Sequence, residues 1–261
     1  MNNYPVMYGN TYKTPADAGN MFTNRFPSFF YYISMAKTAF LANRKAKFGK
    51  SSDLEWVKSS LEIIKALESV GVKLSFENIS AFTELDGPCV FIGNHMSTLE
   101  TFALPAIIQP HKPVTFVVKQ SLLEYPFFGH LMRSRNPITV SRTNPRDDLK
   151  TVLNDGSERL AQGKSVIVFP QATRSTTLDL SKFNSIGVKL AKKAGVPIVP
   201  LALKTDAWGH SRLAKEFGPI DPSKQVHFAF GDPLTVEGNG KQAHADVCSF
   251  IEQHLAKWSE K

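Results

Sequence analysis

Apolar residues recur along this chain in two rhythms, and the change from one to the other falls near residue 72. Before it, residues 27–47 and 52–70 read as two helices joined by Phe48-Gly49-Lys50-Ser51. The second opens on a helix-start signature, Ser52-Asp53-Leu54-Glu55, and carries Leu54, Val57, Leu61, Ile64 and Leu67 at helical spacing until Gly71. From residue 72 onward, short β-rich runs alternate with helix-like ones. Residues 72–76, 90–93, 114–118, 138–141, 166–169, 198–203 and 226–230 read as strands; 98–108, 146–162, 180–194 and 242–258 read as helices. Apolar strands separated by helices of this length predict an α/β fold, with a largely parallel central sheet flanked by helices and preceded by an N-terminal helical hairpin. The chain therefore divides into a basic, aromatic two-helix segment, 1–71, and an α/β domain, 72–261.

Charge sharpens the picture of the first segment. Residues 1–50 hold seven Lys and Arg side chains (Lys13, Arg25, Lys37, Arg44, Lys45, Lys47, Lys50) against Asp17 alone, so most of the net +8 is concentrated there. The same stretch contains Phe26-Pro27-Ser28-Phe29-Phe30-Tyr31-Tyr32-Ile33, then Met35, Phe40 and Leu41. A spanning helix needs roughly 18 or more apolar residues, and Lys37 interrupts this run well short of that. Aromatic residues leading into a basic segment fit a helix lying in the interface of an anionic membrane; a core-packing helix with a solvated basic end is the plainer alternative. A basic chain also suggests nucleic acid, but no basic helix or aromatic-studded strand pair occurs outside this segment, and no nucleic-acid partner is expected. Residues 1–12 are polar and lack the apolar stretch of a secretory signal. Cys89 and Cys248 lie far apart and match no metal or redox spacing, so the expected setting is reducing.

Two short stretches carry the chemistry. Asn94-His95-Met96-Ser97-Thr98-Leu99-Glu100 follows one strand-like run and places an imidazole and a carboxylate five positions apart. Phe169-Pro170-Gln171-Ala172-Thr173-Arg174-Ser175 follows another and places an arginine at its mouth. In sheets of this kind, ligands bind at the carboxyl ends of the strands. His95 in a strand-to-helix loop can act as a general base if Glu100 fixes its tautomer and stabilises the imidazolium. Ser97 to Glu100 is at the same time a capping box, in which Glu100 reaches back to the Ser97 N–H. The two roles are compatible, because a helix N-terminus favours an ionised carboxylate. Arg174, together with Arg142 and Lys119 at the ends of two further strand-like runs, forms a set of cations suited to phosphate, which arginine grips through paired N–H groups.

These motifs, in this order, resemble those of the lysophosphatidate and glycerol-phosphate acyltransferase superfamily. Asn94 to Glu100 resembles Asn-His-x-Ser-x-x-Asp at every specified position but the last. Residues 119–129 running on to Arg142 resemble the second motif, Phe169 to Ser175 the third (Phe-Pro-Glu-Gly-Thr-Arg-Ser) with two changes, and Gly195 to Leu201 the fourth. The resemblance spans roughly residues 70–205. It implies that His95 deprotonates an acceptor hydroxyl attacking an acyl thioester on coenzyme A or acyl carrier protein, a co-substrate and not a bound cofactor. Glu100 would orient His95; Arg174, Arg142 and Lys119 would hold the acceptor phosphate, with Thr173 and Gln171 shaping that pocket. Asn94 and Ser97 would support the site, Ser97 as a cap rather than a nucleophile, and backbone N–H groups would stabilise the oxyanion. The implied setting is peripheral or monotopic, on the cytoplasmic face of a membrane, with a lysolipid acceptor, most readily 1-acylglycerol 3-phosphate.

Glu100 in place of aspartate keeps the carboxylate and lengthens its reach. Gln171 and Ala172 in place of Glu-Gly remove a negative charge and a flexible turn, which widens the choice of acceptor to an aminolipid or glycolipid. Two other classes compete: a catalytically decayed lipid-binding relative, and a metal-dependent hydrolase using His95 and Glu100 as ligands. Retention of His95, Glu100 and Arg174 opposes the first. The scatter of the other histidines, 111, 130, 210, 227, 244 and 254, which form no ligand spacing, opposes the second, and no metal is expected.

Overall fold

The computed structural model describes residues 9–19, 21–125, 129–171, 173–211 and 217–260. Ala172 and the 126–128 part of the second motif lie outside these residues, as do residues 1–8 of the polar first stretch. In chain order the elements are β1 (Thr11–Lys13), α1 (Met21–Asn24), α2 (Pro27–Lys47), α3 (Asp53–Ser69), β2 (Leu74–Glu77), α4 (Ser80–Thr83), β3 (Val90–Gly93) and α5 (Leu99–Ile108). There follow β4 (Val114–Lys119), a 3-10 turn (Gln120–Glu124), α6 (Gly129–Ser134), β5 (Ile138–Val140), α7 (Pro145–Ala161) and β6 (Ser165–Val168). A second 3-10 turn (Leu180–Lys182), α8 (Ile186–Ala194), β7 (Ile198–Lys204), β8 (Val226–Phe230) and α9 (Lys241–Ser259) complete the chain.

The strands form one eight-stranded sheet in the order β1-β2-β8-β7-β3-β6-β4-β5. Pairing is parallel from β7 through β3, β6 and β4 to β5, and again between β2 and β8; β1 with β2 and β7 with β8 are antiparallel. Every residue of β3 and β6 is buried, as inner strands covered on both faces require. Alternation sorts their side chains: Phe91, Val199, Leu201 and Leu203 face a core shared with α2, α3 and α5, while Val90, Ile92, Ile198 and Ala202 face α7, α8 and α9. Both outer strands, β1 and β5, are three residues long.

The hairpin forms as its sequence predicts. Ser52 caps α3 by accepting from the Glu55 N–H at 3.2 Å, and Asp53 and Glu55 occupy the first turn. Tyr31 and Met35 of α2 join the central core, while Phe26, Phe29, Ile33, Phe40 and Leu41 remain on the outer side, Phe29 at 63% exposure. Among the described residues no helix is long and apolar enough to cross a membrane.

Two expectations need correction. The predicted helix 180–194 is broken, because the Asn184 side chain donates to the Pro170 carbonyl and accepts from the Ile186 N–H at 3.0 Å, so α8 starts only at Ile186. The strand at 138–141 stops at Val140. Asp148 of α7 captures the N–H groups of Ser141 and Arg142, both at 2.7 Å, and turns Arg142 to φ +60°, a left-handed conformation that strand pairing does not use.

Candidate active site

The carboxyl ends of β3, β4, β5, β6 and β7 lie side by side, and each delivers a residue of interest. β3 ends at Gly93, where a Cβ would come within 2.8 Å of the Leu201 carbonyl oxygen; only glycine lets the two backbones approach this closely. Asn94 exploits that approach. Its Nδ2 donates to the Leu203 carbonyl and its Oδ1 accepts from the Leu203 N–H, each at 2.8 Å, so one side chain pairs with β7 as a further strand residue would.

His95 follows, clamped by its own backbone and by its ring. Its N–H donates to Gln171 Oε1 at 2.8 Å, its carbonyl accepts from the Ser175 N–H at 2.9 Å, and its imidazole lies flat on Phe169, 4.5 Å between centroids and 5° between planes. The side chain is 14% exposed, enough for a substrate to reach. Gln171, which the resemblance places near the acceptor, thus spends its carbonyl on the loop that carries His95.

Glu100, in the first turn of α5, is wholly buried and surrounded by donors. Its Oε1 accepts from the N–H groups of Met96 at 2.6 Å and Ser97 at 2.9 Å and from the Thr205 hydroxyl at 2.9 Å. Its Oε2 lies 3.1 Å from the Ser97 nitrogen and 3.2 Å from its hydroxyl. The expected capping contact is therefore present, and Ser97 Oγ also accepts from the Leu99 N–H at 3.1 Å. His95 Nδ1 stands 3.8 Å from Oε1, adjacent but beyond hydrogen-bond distance. Burial alone would raise the carboxyl pKa; the imidazole beside it and the surrounding backbone N–H donors outweigh burial and hold it below the usual value. Glu100 is thus an ionised carboxylate kept dry behind the histidine.

The cations come from the other strand ends. Arg174 donates to the Thr98 hydroxyl at the start of α5, which brings the guanidinium over the His95 loop. Burial first, and then the Arg174 guanidinium, lower the pKa of Arg142, with Asp148 pulling the other way; the two arginines therefore lie close enough to repel one another. Two guanidiniums held together suit a dianionic group. Lys119 is exposed at the end of β4, in register with Val140 two residues before Arg142. Thr173 is exposed beside Arg174. Thr205, Phe169 as a ring clamp, and Thr98 are contributions that the motifs alone did not single out. Among the described residues no group of three or more His, Cys, Asp or Glu side chains is placed to hold a metal ion.

A histidine backed by a buried carboxylate lies near two arginines at the carboxyl ends of this sheet; the acyltransferase family profile matches residues 72–204, and the chain belongs to that family. Over 194 residues it is 31% identical to the 1-acyl-sn-glycerol-3-phosphate acyltransferase of Pseudomonas aeruginosa, a match covering 74% of this chain and 70% of that one. It is likewise 31% identical over 119 residues to the Escherichia coli protein of the same name, covering 46% and 48% of the two chains. The fold is shared with the crystal structure of the 1-acyl-sn-glycerophosphate acyltransferase PlsC of Thermotoga maritima, at a TM-score of 0.70 and 18% identity, over 92% of this chain and 98% of that one.

Proposed function

We propose that this enzyme moves a fatty acyl group from an acyl thioester to the free hydroxyl of 1-acylglycerol 3-phosphate, as the names of its relatives indicate for them. The observation that carries the reading is the buried, ionised Glu100 directly behind a clamped histidine, with Arg174 held over the histidine's loop. The acceptor phosphate would sit on the arginines, and His95 Nε2 would accept the hydroxyl proton as the oxygen attacks the thioester carbon. Nδ1 then bears a proton next to a carboxylate, and the 3.8 Å gap closes as the ring becomes cationic. Collapse of the tetrahedral intermediate breaks the carbon–sulfur bond, and the imidazolium returns its proton to the departing thiolate. No acyl-enzyme is required, which leaves Ser97 to its capping role.

In this reading the two substrates approach from different sides of β3. The arginines follow β6 and β5 on one side of β3. On the other side, a cleft of about 640 Å³ runs past Met96, Leu178, Lys204, Asp206 and Leu255, between the end of β7 and α9. The donor, acyl-coenzyme A or acyl carrier protein, would approach from there. Segment 1–71 would seat the enzyme on the cytoplasmic face of an anionic membrane. Phe22, Phe26, Phe29, Ile33 and Phe40 are exposed in a segment that also carries Arg25, Lys37, Arg44, Lys45 and Lys47.

The test offers labelled acyl-coenzyme A and acyl carrier protein to the purified protein with a panel of lysolipids, beside His95→Ala. Transfer preferring the 3-phosphate acceptor and lost in His95→Ala, with unchanged circular dichroism, is the expected result. Undiminished transfer in His95→Ala would refute the assignment of the base. Absence of transfer to any acceptor by the folded wild type would refute the function.

A further inference from the structure

The Glu100 carboxylate receives one donor from a part of the chain that none of the recognised motifs contains. Thr205 lies one residue beyond β7, is fully buried, and donates its hydroxyl to Glu100 Oε1 at 2.9 Å. A hydroxyl carries a single proton and can accept at the same time. With that proton committed to Glu100, Thr205 Oγ1 is left to accept from Ser97 Oγ at 3.0 Å. The threonine is not free to drift, because Asn94 pins Leu203 two residues upstream and the Trp208 N–H bonds the Thr205 carbonyl at 3.1 Å. β7 thus places one hydroxyl against the carboxylate oxygen that faces the histidine.

We propose that Thr205 is a positioning residue of the acyl-transfer site, setting how strongly Glu100 engages His95. This rests on the acyl-transfer reading given above. Oε1 already accepts from Met96 and Ser97, and the Thr205 hydroxyl completes its set of donors, holding it at 3.8 Å from Nδ1. With the hydroxyl removed, Oε1 keeps the Met96 and Ser97 N–H donors but has lone-pair capacity to spare, and the imidazole Nδ1 at 3.8 Å is the next group placed to take it up. The same carboxylate then stabilises the imidazolium more strongly, and the base becomes harder to regenerate in its neutral form. The charged groups around the ring are Glu100, Arg174 and, beyond it, Arg142. Lys204 and Asp206, which flank Thr205, are occupied elsewhere, Lys204 Nζ with the Trp258 carbonyl at 2.7 Å and Asp206 with Lys224 at 3.1 Å.

The test compares wild type, Thr205→Val and Thr205→Ser in full-length protein, with two readouts. In the transfer assay, Thr205→Val should lower kcat/KM about threefold or more on the acid side of the pH profile, the loss that a half-unit rise in the base's titration produces. It should also move the acid limb of the kcat/KM–pH profile upward by about half a unit or more. Thr205→Ser should restore both. The second readout is the titration of the His95 ring protons by NMR, which needs no turnover; the valine variant should titrate at higher pH than wild type and the serine variant close to it. A valine variant whose activity falls only with its folded fraction, and whose His95 titration is unmoved or shifted downward, overturns the proposal. Failure of the wild type to transfer any acyl group overturns the function instead, and the NMR titration still decides the role of Thr205.

Discussion

Replacing Asn94 with alanine tests how the catalytic loop is attached to the sheet. The side chain is 1% exposed and makes two hydrogen bonds of 2.8 Å to the N–H and carbonyl of Leu203, a residue 109 positions away. Alanine leaves both backbone groups buried with no partner, and each such loss costs about 1–3 kcal/mol. Allowing for relaxation or an entering water, the sum is about 3 kcal/mol. For a chain of this size, one kcal/mol moves the melting temperature by roughly 2–4 °C, so Asn94→Ala should melt about 6–12 °C below wild type. Asn94→Asp should be no better, since a second oxygen would face the Leu203 carbonyl. Urea unfolding should show a lower midpoint with an unchanged slope, the signature of lost stability without a new intermediate. Transfer activity should fall further than the folded fraction does, because His95 is the next residue. An alanine variant within about 1 kcal/mol of wild type would refute the argument that this amide stands in for strand pairing.

Three other outcomes are expected. Arg142→Ala and Arg174→Ala should raise the KM for a phosphate-bearing lysolipid by roughly tenfold or more, with a smaller effect on an acceptor lacking the phosphate monoester; equal losses on both would place the arginines outside the phosphate site. Glu100 contributes stability that is present above the ordinary carboxyl pKa of 4.5 and is lost as pH falls through its lower folded value, so wild type should weaken in acid below about pH 4.5. Glu100→Gln should be less stable at neutral pH and lack that component, and identical acid profiles from thermal melts would contradict it. Changing Phe29, Ile33 and Phe40 together to serine should reduce co-sedimentation with anionic vesicles while leaving the melting temperature nearly unchanged, since all three are exposed.

Where the sequence succeeded, local signals and global structure agreed. The Ser52 cap, the Gly71 stop and the β-rich runs each act over a few residues, and every strand read from the pattern is present within two residues of its expected start. Asn94, His95 and Glu100 were legible because they share one loop. Thr205 was not, because its partnership with Glu100 exists only once β7 lies beside β3, and chain order does not state strand order. The flat packing of His95 on Phe169 has the same origin, since β6 is the other neighbour of β3. The break before α8 depended on a single contact, Asn184 reaching Pro170, that outweighed a helical periodicity. β1 escaped notice because three residues, Thr11-Tyr12-Lys13, carry too little pattern to mark a strand.

Those three residues bear on how the protein behaves in company. A sheet ends in rows of unpaired N–H and carbonyl groups, which are templates for sticking to another copy, and short outer strands are one way to deny that template. Here both borders are three residues long, and β5 is cut short by the turn that presents Arg142. If the enzyme is seated on a bilayer as proposed, crowding in two dimensions would otherwise turn any long open border into a seed for aggregates. The stub at β5 would therefore serve two ends, presenting Arg142 at the proposed phosphate site and keeping neighbouring molecules from zipping together edge to edge.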